Sequence, residues 1–196
     1  MAWTHDELTQ TVFIDCKFDD KLTGLPSNTA TIIFAEEIYN YFRLSQFNQP
    51  LHKKDFPPNV QRIYFGHYFN QPINKDSFPS SITHLTFGYN FNQPINEGVL
   101  PSSITHLFFG NHFNRPINEN TLPSSITHLC FNWHFDQPVN ELPSSLISLE
   151  FSIYYKQPIE NLPYGLKTLI VSENYPMTNI KVPFGCEVIK KCDEID

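Results

Sequence analysis

The hexapeptide FNQPIN stands at Phe69–Asn74 and again at Phe91–Asn96, and FNRPIN follows at Phe113–Asn118. Its leading phenylalanine marks a period. Phe47, Phe69, Phe91, Phe113 and Phe135 succeed one another at 22-residue steps, and Tyr155 and Tyr175 extend the series at steps of 20. The shortening has a definite place, where INENTLP at Ile117–Pro123 becomes VNELP at Val139–Pro143. Toward the N-terminus, FDDKLTGLP at Phe18–Pro26 aligns with FDQPVNELP at Phe135–Pro143, so the period runs from near Thr11 through almost the whole chain. A self-similar unit of this length dictates a stack of like coils rather than a globule of unique elements.

One unit reads FPSSITHLTFGYNFNQPIN, Phe78–Asn96, with apolar residues at Phe78, Ile82, Leu85, Phe87, Phe91 and Ile95. The alternation at Leu85 and Phe87 predicts a short strand, with His84, Thr86 and Gly88 on its other face. Pro94 and Pro101 lack the N–H that a helix interior or central strand needs, so they predict an extended return path. One strand and one return make a solenoid coil. A single coil buries too few side chains to offset the entropy of ordering its backbone, so coils must stack to fold. In the motif, Phe and Ile point inward. Asn48, Asn70, Asn92, Asn114 and Asp136 form a column expected to bond backbone groups of adjacent coils, with a ligand site as the competing use.

The pattern LPSSITHLxFGxxFNxPI resembles the FNIP repeat, a short relative of the leucine-rich repeat, and Ile82–Phe87 also fits the core LxxLxL. The resemblance covers roughly Thr11 to Ile189. It implies a curved, right-handed repeat solenoid with a parallel sheet on the concave face and Pro-rich convex returns, used for protein–protein recognition. Such repeats are known mainly from slime moulds and giant amoeba-infecting viruses. Many members carry an F-box before the repeats and resemble substrate-recruiting subunits of ubiquitin ligases. Here about ten residues precede the first coil, too few for that helical module, which makes the ligase adaptor an alternative reading.

Composition excludes other classes. Lys and Arg number 13 against 20 Asp and Glu, a net charge of −7, which opposes general binding to nucleic acid or anionic membranes. No apolar run approaches the roughly 18 residues of a membrane span, and the first ten residues show no signal-peptide pattern. The expectation is a cytoplasmic chain, within a host's cytoplasm if viral, that is monomeric or weakly self-associating through its ends.

Three outward columns cross the expected sheet. The first is Thr11, Thr31, Arg62, His84, His106, His128, Ser148 and Thr168. The second is Phe13, Ile33, Tyr64, Thr86, Phe108, Cys130, Glu150 and Ile170. The third, Asp15, Ala35, Gly66, Gly88, Gly110, Asn132, Ser152 and Ser172, is small and is expected to leave room for a ligand's approach. The second column varies among units and is apolar for a surface, which marks it as a binding patch. Adjacent strands lie about 4.8 Å apart, so the three histidines line up as a ladder. Two neighbouring imidazoles suit a metal, but no carboxylate or Cys stands in their column, so neither metal nor cofactor is assigned. Like-charge crowding is expected to lower their pKa values.

Cys16, Cys130, Cys186 and Cys192 form no CxxC pair. Cys186 aligns with Leu166 as a core thiol and Cys192 falls outside in the third column, which opposes a bridge between them. Cys130 is expected exposed beside His128, yet no third group completes a nucleophilic site. The segment EEIYNYFRLSQ, Glu36–Gln46, lengthens its coil by nine residues, and Ile38, Tyr41, Phe42 and Arg43 suggest a helical turn. The division reads as a cap at 1–10 with Trp3 and Leu8 as plugs, a solenoid of about nine coils at 11–189 with the 36–46 insertion, and a polar tail at 190–196. The expected function is a non-enzymatic protein-binding scaffold. Contacts come from Phe13, Ile33, Arg62, Tyr64, His84, Thr86, His106, Phe108, His128, Cys130 and Glu150, helped by Tyr39 and Phe42. A self-assembling structural protein is the other alternative.

Overall fold

The computed structural model describes residues 2–34 and 44–192. Ten strands follow one another in sequence order across one sheet. They are β1 (Trp3–Asp6), β2 (Thr11–Ile14), β3 (Thr31–Phe34), β4 (Arg62–Tyr64), β5 (His84–Thr86), β6 (His106–Phe108), β7 (His128–Cys130), β8 (Ser148–Glu150), β9 (Thr168–Ser172) and β10 (Glu187–Lys191). From β2 to β10 every pairing is parallel, whereas β1 folds back antiparallel on β2. Two 3-10 turns, Lys53–Asp55 and Met177–Asn179, are the helical elements among the described residues. The chain is a leucine-rich-repeat-like parallel solenoid of about nine coils, as its period implies.

Two turns flank the strand of each coil, and repeated residues make both; the 22-residue coils add a third, as where the Thr121 N–H donates to the Asn118 carbonyl at 3.2 Å. After the strand, the Phe91 N–H donates to the Gly88 carbonyl at 3.2 Å, and Phe113 repeats this on Gly110 at 3.2 Å. After the return, the Ile104 and Ile126 N–H groups each donate to Pro101 and Pro123 at 3.1 Å. Between the turns runs the Asn-Gln-Pro-Ile segment, too proline-bound to enter a ladder.

Two aromatic files fill the core. Phe47, Phe69, Phe91, Phe113 and Phe135 stack with ring centroids 6.0–6.1 Å apart, continued by Tyr155 and Tyr175. Phe65, Phe87, Phe109, Phe131 and Phe151 form the second file at 5.4–6.0 Å. Within each coil the files touch, as Phe87 does Phe91 at 3.8 Å. Such offset stacks add to area burial. On the sheet's outer face, His84, His106 and His128 repeat every 4.1–4.2 Å. Each coil is therefore a wedge, narrower on the sheet side, and stacked wedges curve with the sheet inside.

Polar side chains clasp one coil to the next where no strand does. Ser81, Ser103, Ser125 and Ser145 donate their hydroxyls to carbonyls of the preceding coil at 2.6–2.7 Å. The Asn column lies along the return. The N–H of Asn70, Asn92, Asn114 and Asp136 each donates to the Oδ1 of the preceding member, at 2.9, 2.9, 3.1 and 3.0 Å. Asp19 and Asp136 continue the pattern, accepting from the N–H of Asn48 and Lys156 at 2.8 Å.

The ends differ from the sequence expectation. The N-terminal cover is the β1 strand, with Trp3 packed against the core, while Leu8 lies in the connecting turn and is fully exposed. At the other end, Cys186 makes the turn that Leu166 makes, its N–H donating to Pro183 at 3.1 Å. The strand then starts one residue sooner, so Glu187, not Val188, pairs with Thr168, and Lys191, not Cys192, falls opposite Ser172. The sheet thus runs to Lys191, into the expected tail. The thiol of Cys186 is half-buried. Of the 36–46 insertion, 36–43 lie outside the described residues, as does Ala35.

Candidate functional site on the outer face of the sheet

The parallel register places the first two outward columns residue by residue. Arg62, His84, His106, His128, Ser148 and Thr168 are successive partners, and so are Phe13, Ile33, Tyr64, Thr86, Phe108, Cys130, Glu150 and Ile170. Inward neighbours such as Leu85, Leu107 and Leu129 are buried. Phe13 and Tyr64 are 39% and 37% exposed. Ile33, Thr86, Phe108, Cys130 and Glu150 are half-buried. Thr11 and Thr31 differ from the rest of their column in being buried, and the Thr11 hydroxyl donates to the Thr9 carbonyl within the β1–β2 turn. Tyr39 and Phe42 lie outside the described residues.

The three imidazoles stack nearly parallel, His84 to His106 at 12° and His106 to His128 at 6°. Each Nδ1 meets the hydroxyl of the preceding threonine, Thr83, Thr105 or Thr127, at 2.8–2.9 Å. Those hydroxyls also reach carbonyls of the preceding coil at 3.1–3.3 Å. A hydroxyl has one proton. Spent on the carbonyl, it leaves Oγ1 as acceptor for Nδ1–H and turns an unprotonated Nε2 outward. Burial, then the Arg62 charge and His128, lowers the pKa of His84. Burial again leads for His106, followed by His84, His128 and Arg62, bringing it down to about 4. Desolvation therefore outweighs the like-charge crowding that the sequence suggested. At neutral pH this part of the ladder is an uncharged aromatic strip.

Cys130 is half-buried rather than exposed. Burial, then the Glu150 carboxylate, pushes its thiol up to about 12, so it carries no thiolate at neutral pH and lacks nucleophilic character. Glu150 is ion-paired with Lys191. Among the described residues, no cluster of three or more His, Cys, Asp or Glu side chains is placed to hold a metal ion.

The third column is tight between successive backbones, yet Gly110 and Asn132 also line open space on the sheet's outer face. Gly66, Gly88 and Gly110 are buried. A Cβ on Gly88 would come within 1.8 Å of the Gly66 carbonyl oxygen, and one on Gly110 within 1.8 Å of the Gly88 oxygen. Glycine stands there because successive backbones touch just after the strand. Ser152 closes the same gap by donating its hydroxyl to the Trp133 carbonyl.

Beyond the glycines rises a second ridge that the sequence reading passed over. His67 stacks on Tyr89 at 4.6 Å and Tyr89 leans on His112 at 4.7 Å. Between this ridge and the histidine strip lies a groove of about 620 Å³, bordered among others by Tyr64, His84, His106, Phe108, Tyr89 and Cys130. A signal was present: the two residues between Gly and Phe of each unit read His-Tyr, Tyr-Asn and Asn-His in successive copies. That is the same variability that singled out the second column.

The FNIP Repeat family model matches residues 47–90, 69–112, 113–140 and 138–174. No curated protein sequence matches the chain significantly. Among solved structures, the chain is similar to CroV588 of a giant virus, described as a novel circular leucine-rich-repeat protein, with a TM-score of 0.57 and 27% sequence identity. That likeness covers 93% of this chain and 33% of the other, so the chain spans about a third of that protein's length. The repeats matched run unbroken from 47 to 174, well over half of the sequence, and the chain belongs to the FNIP repeat family.

Proposed function

We propose that the protein is a non-catalytic scaffold that holds a partner protein on the concave face of its sheet. The observation that carries this reading is the second outward column, where Tyr64 stays exposed and borders, with Phe108, a groove of about 620 Å³, while Phe13 stands exposed farther along the same column. Aromatic anchors in a concave site with an uncharged floor and charged neighbours suit a protein interface. Arg62 precedes His84 in the first column and Glu150 follows Cys130 in the second. Cys130, whose thiol stays protonated at neutral pH, adds a neutral side chain to this face.

Affinity capture with wild-type protein and with Tyr64→Asp/Phe108→Asp tests the reading. The proteins expected to matter are those retained by the wild type and lost by the variant, whose melting temperature must stay near wild type. Ligase subunits in that set identify an adaptor of the ubiquitin system. Identical captures by both baits overturn the assignment of this face.

A further inference from the structure

The Asn ladder has a second consequence, separate from the sheet face. In Asn48, Asn70, Asn92 and Asn114, Oδ1 accepts a backbone N–H of the next coil, which settles the orientation of each amide. The Nδ2 group then faces away from that bond with two donors, and among the described residues it meets no protein acceptor. These four asparagines border a groove of about 610 Å³. Across from them stand Tyr68, Asn90, His112 and His134, one from each successive coil. The phenylalanines next to the Asn rungs repeat every 6.0–6.1 Å, so the donors recur along the groove at a nearly constant step.

The chemistry of this trough narrows its ligand. Among the described residues it is bordered by no Lys, Arg, Asp or Glu, which disfavours phosphates, carboxylates and cations. It lacks the buried aliphatic anchors of a protein interface. It offers amide donors on one wall and mixed donors and acceptors on the other, ending at Tyr68, a 40% exposed ring. Burial, then His134 and His67, holds the His112 pKa below its ordinary value, so its ring keeps a free acceptor nitrogen at neutral pH. A chain of hydroxylated rings presents both donors and acceptors at a regular step, with C–H faces that pack on an aromatic ring.

We propose that this trough binds a linear, uncharged oligosaccharide, laid along the Asn rungs and stacked on Tyr68. The test is NMR and calorimetric titration of the full chain with cellohexaose, chitohexaose and maltohexaose, each up to roughly 10 mM. The expected result is saturable binding of at least one probe, with shifts at the Asn70, Asn92 and Asn114 side-chain amides. Affinity is expected to fall at least tenfold in Tyr68→Ala and in Tyr68→Ala/His112→Ala, and to survive in Tyr64→Asp/Phe108→Asp. The single variant removes an exposed ring and keeps the test valid should the double variant unfold. Absence of saturation by all three probes overturns the proposal. So does binding that Tyr68→Ala leaves unchanged.

Discussion

The coils from Phe65 to Phe135 and the coil from Pro176 to Cys192 are built on one plan, yet they hold together differently. In the central coils both aromatic files, the serine clasp and the Asn rung recur at every step. In the last coil Phe184 is fully exposed, and Cys186 and Val188 are half-buried. The backbone ladder of β10 on β9 is intact. A parallel ladder alone therefore does not make a core; the inward side chains of the next coil do. Solenoid stability is a sum of neighbour terms, so the two regions should respond unequally to equal insults.

The largest contrast is expected from Phe91→Ala against Val188→Ala. Phe91 is fully buried between Phe69 and Phe113, and its truncation should cost about 3–5 kcal/mol in chemical denaturation. Val188→Ala should cost under about 1 kcal/mol, because the site is already half open; equal losses would refute the contrast. Next comes Gly88→Ala against Gly165→Ala. The first drives a Cβ into a backbone carbonyl at 1.8 Å, whereas the second meets only Ser144 O at 3.7 Å. A loss of about 1–3 kcal/mol or more is expected for Gly88, and none or a slight gain for Gly165.

Removing one rung, Asn92→Ala, leaves the Asn114 N–H without its acceptor. It should cost about 1–2 kcal/mol, and hydrogen exchange should speed up at Asn114 before it does in the flanking strands. The smallest effect concerns pH. His106 has a folded pKa near 4 against an ordinary value of 6.5, so the unfolded chain binds the extra proton between those values. Stability from the neutral ring is complete above about pH 6.5 and is lost as pH falls toward 4. His106→Gln should flatten that part of the melting-temperature profile. An unchanged slope would assign the pH dependence to other groups.

The inward plan was legible because each coil packs on a near copy of itself. Phe69, Phe91 and Phe113 are neighbours in space for the same reason that they are 22 residues apart. Sequence periodicity there is a contact map, and it gives the strand register and the column of Asn48, Asn70, Asn92 and Asn114 as well. Where copies diverge, that logic stops. Cys186 matches Leu166 in the alignment, yet the strand after it starts a residue early, a slip that only the pairing with Thr168 reveals.

The outer surface was less legible still. Small residues at 66, 88 and 110 read as open room; that room is present where Gly110 borders the groove, but the same glycines also mark backbone contact between coils. The sequence reading attributed low histidine pKa values to mutual repulsion, while burial is the larger cause. Period and composition alone determined that this chain stacks into coils, which side chains enter the core and which residues stand in line. The tertiary structure decided how far apart those lines run, because each coil's wedge shape sets the spacing at every depth. That spacing brings the glycine backbones into contact and leaves grooves beside the histidines and along the Asn rungs. A one-dimensional repeat carries neighbours without distances, and grooves are made of distances.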